Sequence, residues 1–384
     1  MKHKIFNQII LAVFFISLAN FTATCQKKGV LKNNLSEFVP DSALFAKEHP
    51  TPLVVRGFMM AEMNDQKNFN DVKIWGANVV RLQLHPARYA TNKGQDIWKA
   101  LPSYLDQLED QVKAAKHVGL KVVIDLHEAP FQNVTQRVDE FWQRTDLEEM
   151  FCRIWTDIAS RLLPYKKTIW GYDIYNEPAD NSPYPPRQWR PLAIQIVKAI
   201  RKIDNETWIV YEPGPWGSPL EGFKTLEPLP DPHVIYSPHF YAPQESFTHQ
   251  GVHAKGSFEE AKKSINKPYP AMINGILWDK NRLAQELKYV DEFQAKWKVP
   301  IYVGEFSVIR WAPKDDAVHW LQDVIDLFEA RGWSWSYHAF REWNGWSLEH
   351  DEKFWMEGMP DPKPVTYETE RAKIIRSALL KNKN

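Results

Sequence analysis

From about residue 50 onward, short continuous apolar runs alternate with stretches in which apolar residues recur every three or four positions. The runs read as buried strands over Leu53–Arg56, Asn78–Leu84, Lys121–Leu126, Gly171–Tyr175, Trp208–Tyr211, Val234–Ser237, Ile301–Val303 and Trp333–Tyr337. The amphipathic stretches predict helices over Leu105–His117, Leu147–Leu163, Arg190–Lys202, Leu283–Trp297 and Ala317–Ala330. Strand and helix alternate throughout, an α/β pattern whose eight strands predict a closed parallel (β/α)8 TIM barrel, as a single domain, rather than an open sheet. Local signals agree: Asp146 before Leu147, with Glu149 three residues on, reads as a capping box, and Gly119 and Gly332 follow helical stretches as stops. The Pro- and Gly-containing stretch Pro243–Trp278 is too long for a simple connection and predicts a loop laid over one barrel end.

The N-terminus follows another pattern. Lys2 and Lys4 precede an apolar run from Ile9 to Leu18 and then small and polar residues up to Cys25, the order of a secretory leader. Residues 1–25 are therefore expected to be a signal peptide, and 26–384 the folded domain. The run is too short to cross a bilayer permanently, so no transmembrane segment is expected. Ala23-Thr24-Cys25 fits a small-x-small cleavage site; in the alternative, Cys25 becomes the lipidated first residue of an outer-membrane lipoprotein. Both readings take the protein out of the cytoplasm, as a secreted, periplasmic or extracellular protein. Only Cys152 of the two cysteines then surely remains, and stability falls to a large apolar core.

Charge narrows the partners. The 48 Lys+Arg balance 48 Asp+Glu, so no net field attracts nucleic acid or an anionic surface, and a neutral substrate fits. The 17 Trp, 14 Tyr and 20 Phe are more than a core of this size requires, which suggests exposed aromatic faces.

In such barrels chemistry gathers at the C-terminal strand ends. Arg81 lies inside the second predicted strand; His127 follows the third, Asn176-Glu177-Pro178 the fourth, His239 and Tyr241 the sixth, and Glu305 the seventh. Each alone has a structural explanation: a packed histidine, a buried ion pair, a strand-end acid. Seven such residues at five strand ends are hard to produce by packing needs. Glu177 and Glu305 would face one another across the barrel mouth, and two carboxylates so placed suit glycoside hydrolysis, one protonated and one ionised. Arg81 beside one of them would supply the asymmetry. Glu212 ends the fifth strand and reads as a substrate or network contact, or as surface loop. Asp125 and Asp173 share parity with the strand-end residues and read as buried interior acids. His127-Glu128 starts like a zinc His-Glu-x-x-His, but position 131 is Phe131, so no metal and no cofactor are implied. There is also no Gly-rich phosphate loop and no Gly-x-Ser-x-Gly elbow.

The set resembles glycoside hydrolase family 5, over nearly the whole chain after the leader. That family's pattern places Arg near strand two, His after three, Asn-Glu-Pro after four, His-x-Tyr after six, Glu after seven and Trp after eight. The resemblance implies a retaining enzyme with Glu177 as acid/base and Glu305 as nucleophile. It also implies that Asn176 binds the sugar 2-hydroxyl, that Arg81 and Tyr241 keep Glu305 ionised and aimed, and that His127 and His239 line the catalytic subsite. The pattern is broken at strand eight, where Ser336-Tyr337-His338-Ala339-Phe340 stands in the expected place and Trp343 is the candidate platform. Trp216, Trp311, Trp343 and Trp346 lie in loops and are expected to stack on sugar rings, whereas Trp155 and Trp320 on helices read as packing. The strings around Glu212, His239 and Trp343 resemble bacterial cellulase members, so the expected substrate is a β-1,4-glucan polysaccharide or oligosaccharide cut internally. β-Mannanase, xyloglucanase and mixed-linkage glucanase share the catalytic set and stay open, as does a carbohydrate-binding barrel without turnover.

Overall fold

The apolar runs become strands in the computed structural model, which describes residues 51–383 except 63, 132–140, 143, 180–188 and 255–256. In chain order these are β1 (Arg56–Met60), β2 (Val79–Leu84), β3 (Lys121–Leu126), β4 (Ile169–Asp173), β5 (Trp208–Tyr211) and β6 (Val234–Tyr236). There follow β7 (Ala271–Ile273) and β8 (Ile276–Trp278), which form a separate antiparallel hairpin, then β9 (Tyr302–Phe306) and β10 (Ser334–Tyr337). The main sheet has eight strands in the order β6-β5-β4-β3-β2-β1-β10-β9, every pair parallel. It closes between β6 and β9, where the Tyr236 N–H donates to the Pro300 carbonyl at 3.1 Å and the Phe240 N–H to the Glu305 carbonyl at 2.8 Å. The expected (β/α)8 barrel is therefore present, with helices such as Ile97–His117, Leu147–Leu162, Trp189–Arg201 and Lys314–Ala330 around it.

The barrel interior changes character along its axis. At the N-terminal ends of the strands Val55, Val79, Val123, Trp170, Val210, Ile235 and Tyr302 form an apolar plug. Two residues further along β2 and β3, on the same side by strand parity, stand Arg81 and Asp125. Apolar packing thus supports the fold from below, and the polar side chains are presented above it, where the strand ends open.

Several local expectations are corrected. The first strand begins later than its apolar run suggested: Leu53 is exposed, whereas Phe58, Met59 and Met60 are fully buried. It continues through Gly57 because a Cβ there would lie 1.8 Å from the Val79 carbonyl oxygen of the neighbouring strand. The fourth and seventh strands are also displaced, which puts Glu305 inside β9 rather than after it. Asp146 caps nothing: with φ −103° and ψ 5° its carboxylate turns to Arg144, whose Nε and Nη2 donate at 2.9 and 2.7 Å. The stretch expected as one helix from Leu283 to Trp297 is two, Lys280–Glu286 and Lys288–Trp297; Leu283, Leu287 and Val290 are all buried, so the period runs through the break. Gly119 and Gly332 do stop helices, at φ +71° and +68°.

Pro243–Trp278 has structure of its own. It holds a helical turn Gln244–Thr248, a short helix Phe258–Ala261 opened by a Ser257–Glu260 capping box, and the β7–β8 hairpin. Its first part is tied to the barrel top, since Thr248 Oγ1 donates to the Tyr241 carbonyl at 2.5 Å and the Ile309 N–H donates to the Thr248 carbonyl at 2.9 Å. Residues 1–50, where the leader and Cys25 are expected, lie outside the described residues. Among the described residues no helix is long and apolar enough to cross a membrane.

Candidate active site

Arg81 on β2 organises the barrel mouth. Its side chain is fully buried, and Nη1 donates to Glu305 Oε1 at 2.7 Å, Nε to Asp173 Oδ2 at 2.9 Å, and Nη2 to both Glu212 Oε1 and Asn176 Oδ1, at 2.8 and 2.9 Å. Asp125 Oδ1 is a further 3.1 Å contact of Nη2. One guanidinium cannot neutralise so many buried anions. Burial, joined by the charge of Glu212, drives Asp173 well above the usual carboxylate range, which eases that excess of negative charge. Asp125 and Asp173 are thus the buried interior acids expected from strand parity.

Glu305 and Glu177 sit in different surroundings. Glu305 is almost wholly buried; Arg81 holds Oε1, and the Tyr241 hydroxyl donates to Oε2 at 2.7 Å. Burial alone would raise its pKa, but the charges of His239, His338, Arg81 and His127 outweigh that and hold it well below the ordinary range. Glu177 follows β4 with its side chain 34% exposed and its backbone at φ 45°, a left-handed conformation rare for a non-glycine residue. That turn is held by Glu212, whose Oε2 accepts the Glu177 N–H at 2.7 Å. Glu177 Oε1 lies 2.8 Å from His239 Nδ1. Single oxygens of Glu177 and Glu305 and a ring nitrogen of His239 all lie within 4.8 Å of one another. Such a trio could admit a cation, but both Glu305 oxygens already accept hydrogen bonds, which favours proton chemistry.

Around this pair the remaining groups are fixed from several strands. His239 is packed tightly enough that a Cβ on Gly304 would lie 2.9 Å from its Nε2. Burial disfavours its charged form, yet the charges of Glu212, 3.0 Å away, and Glu305 raise its pKa well above the usual value. His127 Nδ1 lies 2.8 Å from Asp125 Oδ2, and Asp125 lifts the pKa of His127 against the effect of burial. Since Asn176 Oδ1 is engaged by Arg81, the group it offers the cleft is its NH2. Glu212, left open by the sequence, is a fully buried network member and not surface loop.

The aromatic expectations divide. Trp216 is 42% exposed beside the Glu177 turn, its N–H donating to the Pro178 carbonyl at 3.1 Å. Trp343 is partly buried and leans edge-on against Trp311 and Trp346, at centroid distances of 5.9 and 5.3 Å. Trp311 is corrected: it is only 4% exposed and its indole N–H donates to the Gln250 carbonyl at 2.7 Å, so it buttresses Trp343 and cannot be a platform. Trp346, 7% exposed and 5.6 Å from the His338 ring, is likewise wall and not platform. Sequence reasoning missed His338, whose Nδ1 lies 3.3 Å from Glu305 Oε2 and 2.7 Å from the Tyr241 hydroxyl, and its partner Glu342 at 2.8 Å. The signal was present, because His338 directly follows β10 just as His127 follows β3.

The comparisons with known proteins agree with this geometry. The family model described as cellulase, glycosyl hydrolase family 5, matches residues 44–344. Endoglucanase C of Acetivibrio thermocellus is 26% identical over 317 residues, covering 77% of this chain and 86% of that one. Cellodextrinase A of Ruminococcus flavefaciens is 25% identical over 288 residues, 73% of this chain and 78% of its own. Among solved structures, endoglucanase Cel5A of Thermotoga maritima superposes with a TM-score of 0.65 at 24% identity, over 85% of this chain and 96% of that chain; it is also described in complex with mannotriose and with cellobiose. A barrel mouth carrying two differently held carboxylates and a family match spanning most of the sequence lead to one conclusion: the chain is a glycosidase of the cellulase type and belongs to glycosyl hydrolase family 5.

Proposed function

We propose that this glycosidase cleaves internal β-1,4-glucosidic bonds of a cellulose-like glucan with retention of anomeric configuration. Retention is supported by the close approach of the two carboxylates, one oxygen of Glu177 lying within 4.8 Å of one oxygen of Glu305. Retaining pairs stand about 5–5.5 Å apart, while inverting pairs need about 6.5–9.5 Å to admit a water between carboxylate and sugar. In the first step Glu305, ionised under Arg81, attacks the anomeric carbon as Glu177 passes its proton to the departing glycosidic oxygen. A glycosyl ester forms on Glu305 and the leaving chain carries the proton away. Glu177, now a carboxylate, then takes a proton from a water that attacks the same carbon, the ester bond breaks, and both groups return to their starting state. On this reading the Asn176 NH2 binds the sugar 2-hydroxyl, and His127 and His239 line the catalytic subsite. Trp216, exposed beside the Glu177 turn, and the partly buried Trp343 are the aromatic candidates for stacking on sugar rings, which suits internal cleavage of a long chain.

The names of the relatives favour a glucan, and mannotriose bound to the Thermotoga protein makes glucomannan an informative arm of the test. Reducing-sugar release is to be measured on carboxymethylcellulose, mixed-linkage β-glucan, xyloglucan and glucomannan, with Glu305→Gln alongside and the product anomer followed by NMR. Turnover on carboxymethylcellulose with β-product, lost in the variant, is expected. Preference for another polysaccharide would reassign the substrate, α-product would overturn retention, and no turnover by folded protein would favour a binding barrel. We also propose that the chain is exported, on the strength of the Lys2–Cys25 leader pattern. The intact mass of the exported protein distinguishes simple cleavage from lipidation at Cys25.

A further inference from the structure

We propose that His338 stands as a cation beside Glu305 and, anchored by Glu342, is a positioning residue for the nucleophile and for Tyr241. The proposal rests on the reading of Glu305 as nucleophile, and its main argument is a count of protons. The Tyr241 hydroxyl carries one hydrogen, and its oxygen lies 2.7 Å from Glu305 Oε2 and 2.7 Å from His338 Nδ1. An ionised carboxylate can only accept, so that hydrogen goes to Glu305 and His338 Nδ1 must donate to the tyrosine oxygen. On the other side of the ring, Nε2 lies 2.8 Å from Glu342 Oε2, while Glu342 Oε1 accepts from Gln83 Nε2 at 3.2 Å. The Glu342 side chain is 24% exposed; its partial desolvation would favour the neutral acid, but the charges of His338 and His127 and the bond from His338 hold it below the ordinary range, so it too accepts. An imidazole that donates from both nitrogens is an imidazolium.

The surroundings fit that charge. Facing His338 are Glu305 from β9, Tyr241 from the loop after β6, Glu342 from its own loop, His127 directly after β3 and His249 directly after the helical turn Gln244–Thr248. Burial and the repulsion of His127 oppose protonation of His338; Glu342 and Glu305 outweigh them and raise it. His249, pushed down to about 3 by burial, stays neutral. Where the family pattern has an indole, this chain therefore places a cation 3.3 Å from Glu305 Oε2. Arg81 holds one oxygen of the nucleophile, and Tyr241 with His338 holds the other, which fixes the carboxylate plane and keeps it ionised.

The test uses the full chain and an aryl β-cellobioside, following kcat/KM against pH; the acid limb reports ionisation of the nucleophile in free enzyme. His338→Gln removes the charge and is expected to move that limb upward by about one pH unit. Glu342→Gln leaves the ring but removes its counter-ion, and is expected to move the limb part of the way. His338→Arg keeps a cation and should hold the limb near its wild-type position even where kcat falls. Reduced activity with an unmoved acid limb in folded His338→Gln and Glu342→Gln would overturn the proposal. A second measurement needs neither turnover nor a His338 variant: histidine NMR titration of the wild type should find the His338 ring protonated above the ordinary value of 6.5, with earlier proton loss in Glu342→Gln. A wild-type His338 ring that is already neutral there would overturn it equally. Should Glu305→Gln retain wild-type turnover, the nucleophile assignment fails instead, and the NMR titration still decides the charge.

Discussion

At the scale of single residues, the site depends on side chains whose shape matters as much as their charge. The guanidinium of Arg81 meets Glu305, Glu212, Asp173 and Asn176 in different directions at once. A lysine ammonium has three donors about one atom and cannot reach all of these. Arg81→Lys is thus expected to lower kcat on the order of 10²–10³-fold in steady-state kinetics; a variant within about tenfold of wild type would show that the fork is dispensable. Glu177 is tested through its leaving group. Glu177→Ala should slow polysaccharide cleavage by about 10³-fold or more, yet a dinitrophenyl β-cellobioside, whose leaving group needs no proton, should still release dinitrophenol in a burst. Equal losses on both substrates would remove Glu177 from the acid role. Most of this machinery was legible because the residues lie in an apolar strand or directly after one, a position visible in one dimension. His338 obeys the same rule but was passed over for a tryptophan further along its loop. Trp311 shows the converse limit: a loop position suggests exposure, and only packing reveals that the Gln250 carbonyl already holds its indole N–H.

At the scale of elements, sequence periodicity located the barrel strands, and it was weakest at their ends. Strand ends depend on pairing partners distant in sequence, as where Gly57 extends β1 because Val79 approaches it closely. Helix caps depend on backbone angles that residue type alone does not set. Asp146 looks like a cap and is not one. Thr369, which the sequence reading did not single out, is one: Oγ1 accepts the Ala372 N–H at 3.1 Å and donates to the buried Leu348 carbonyl at 2.7 Å. Thr369→Ala is therefore expected to destabilise the protein by about 1–2 kcal/mol, because it removes a cap and leaves a buried carbonyl without its donor. Asp146→Ala, which loses only a contact to exposed Arg144, should stay within about 0.5 kcal/mol. Denaturant unfolding of the two variants side by side checks the contrast, and equal destabilisation would mean that Asp146 does cap in solution.

At the scale of the whole molecule, the apolar plug and the charged mouth divide the barrel into an end insensitive to pH and an end that responds to it. Glu305 is held below its ordinary range in the fold, so its pairing stabilises above the unfolded carboxylate pKa and is lost as pH falls through the folded value. His239 has the opposite sign: its pKa is raised, so its contribution is complete below the unfolded value and is lost as pH rises through the folded one. Asp173, whose pKa is raised by burial, also loses its contribution as pH rises. Two of these three groups act on the alkaline side, and His127 and His338, both raised, add to them. Buried His249 and His85, whose pKa values are lowered, oppose them by losing stability as pH falls below the unfolded histidine value, so thermal unfolding followed from about pH 5 to about pH 9 should give its highest midpoint near that value, with a decline toward alkaline pH. His239→Asn, which removes one of the groups responsible, should flatten that decline while lowering the midpoint at acidic pH. A midpoint that rises steadily toward pH 9 would mean that the imidazoles at the barrel mouth are neutral in the folded protein, and the electrostatic account of how Glu305 stays ionised would have to rest on Arg81 alone.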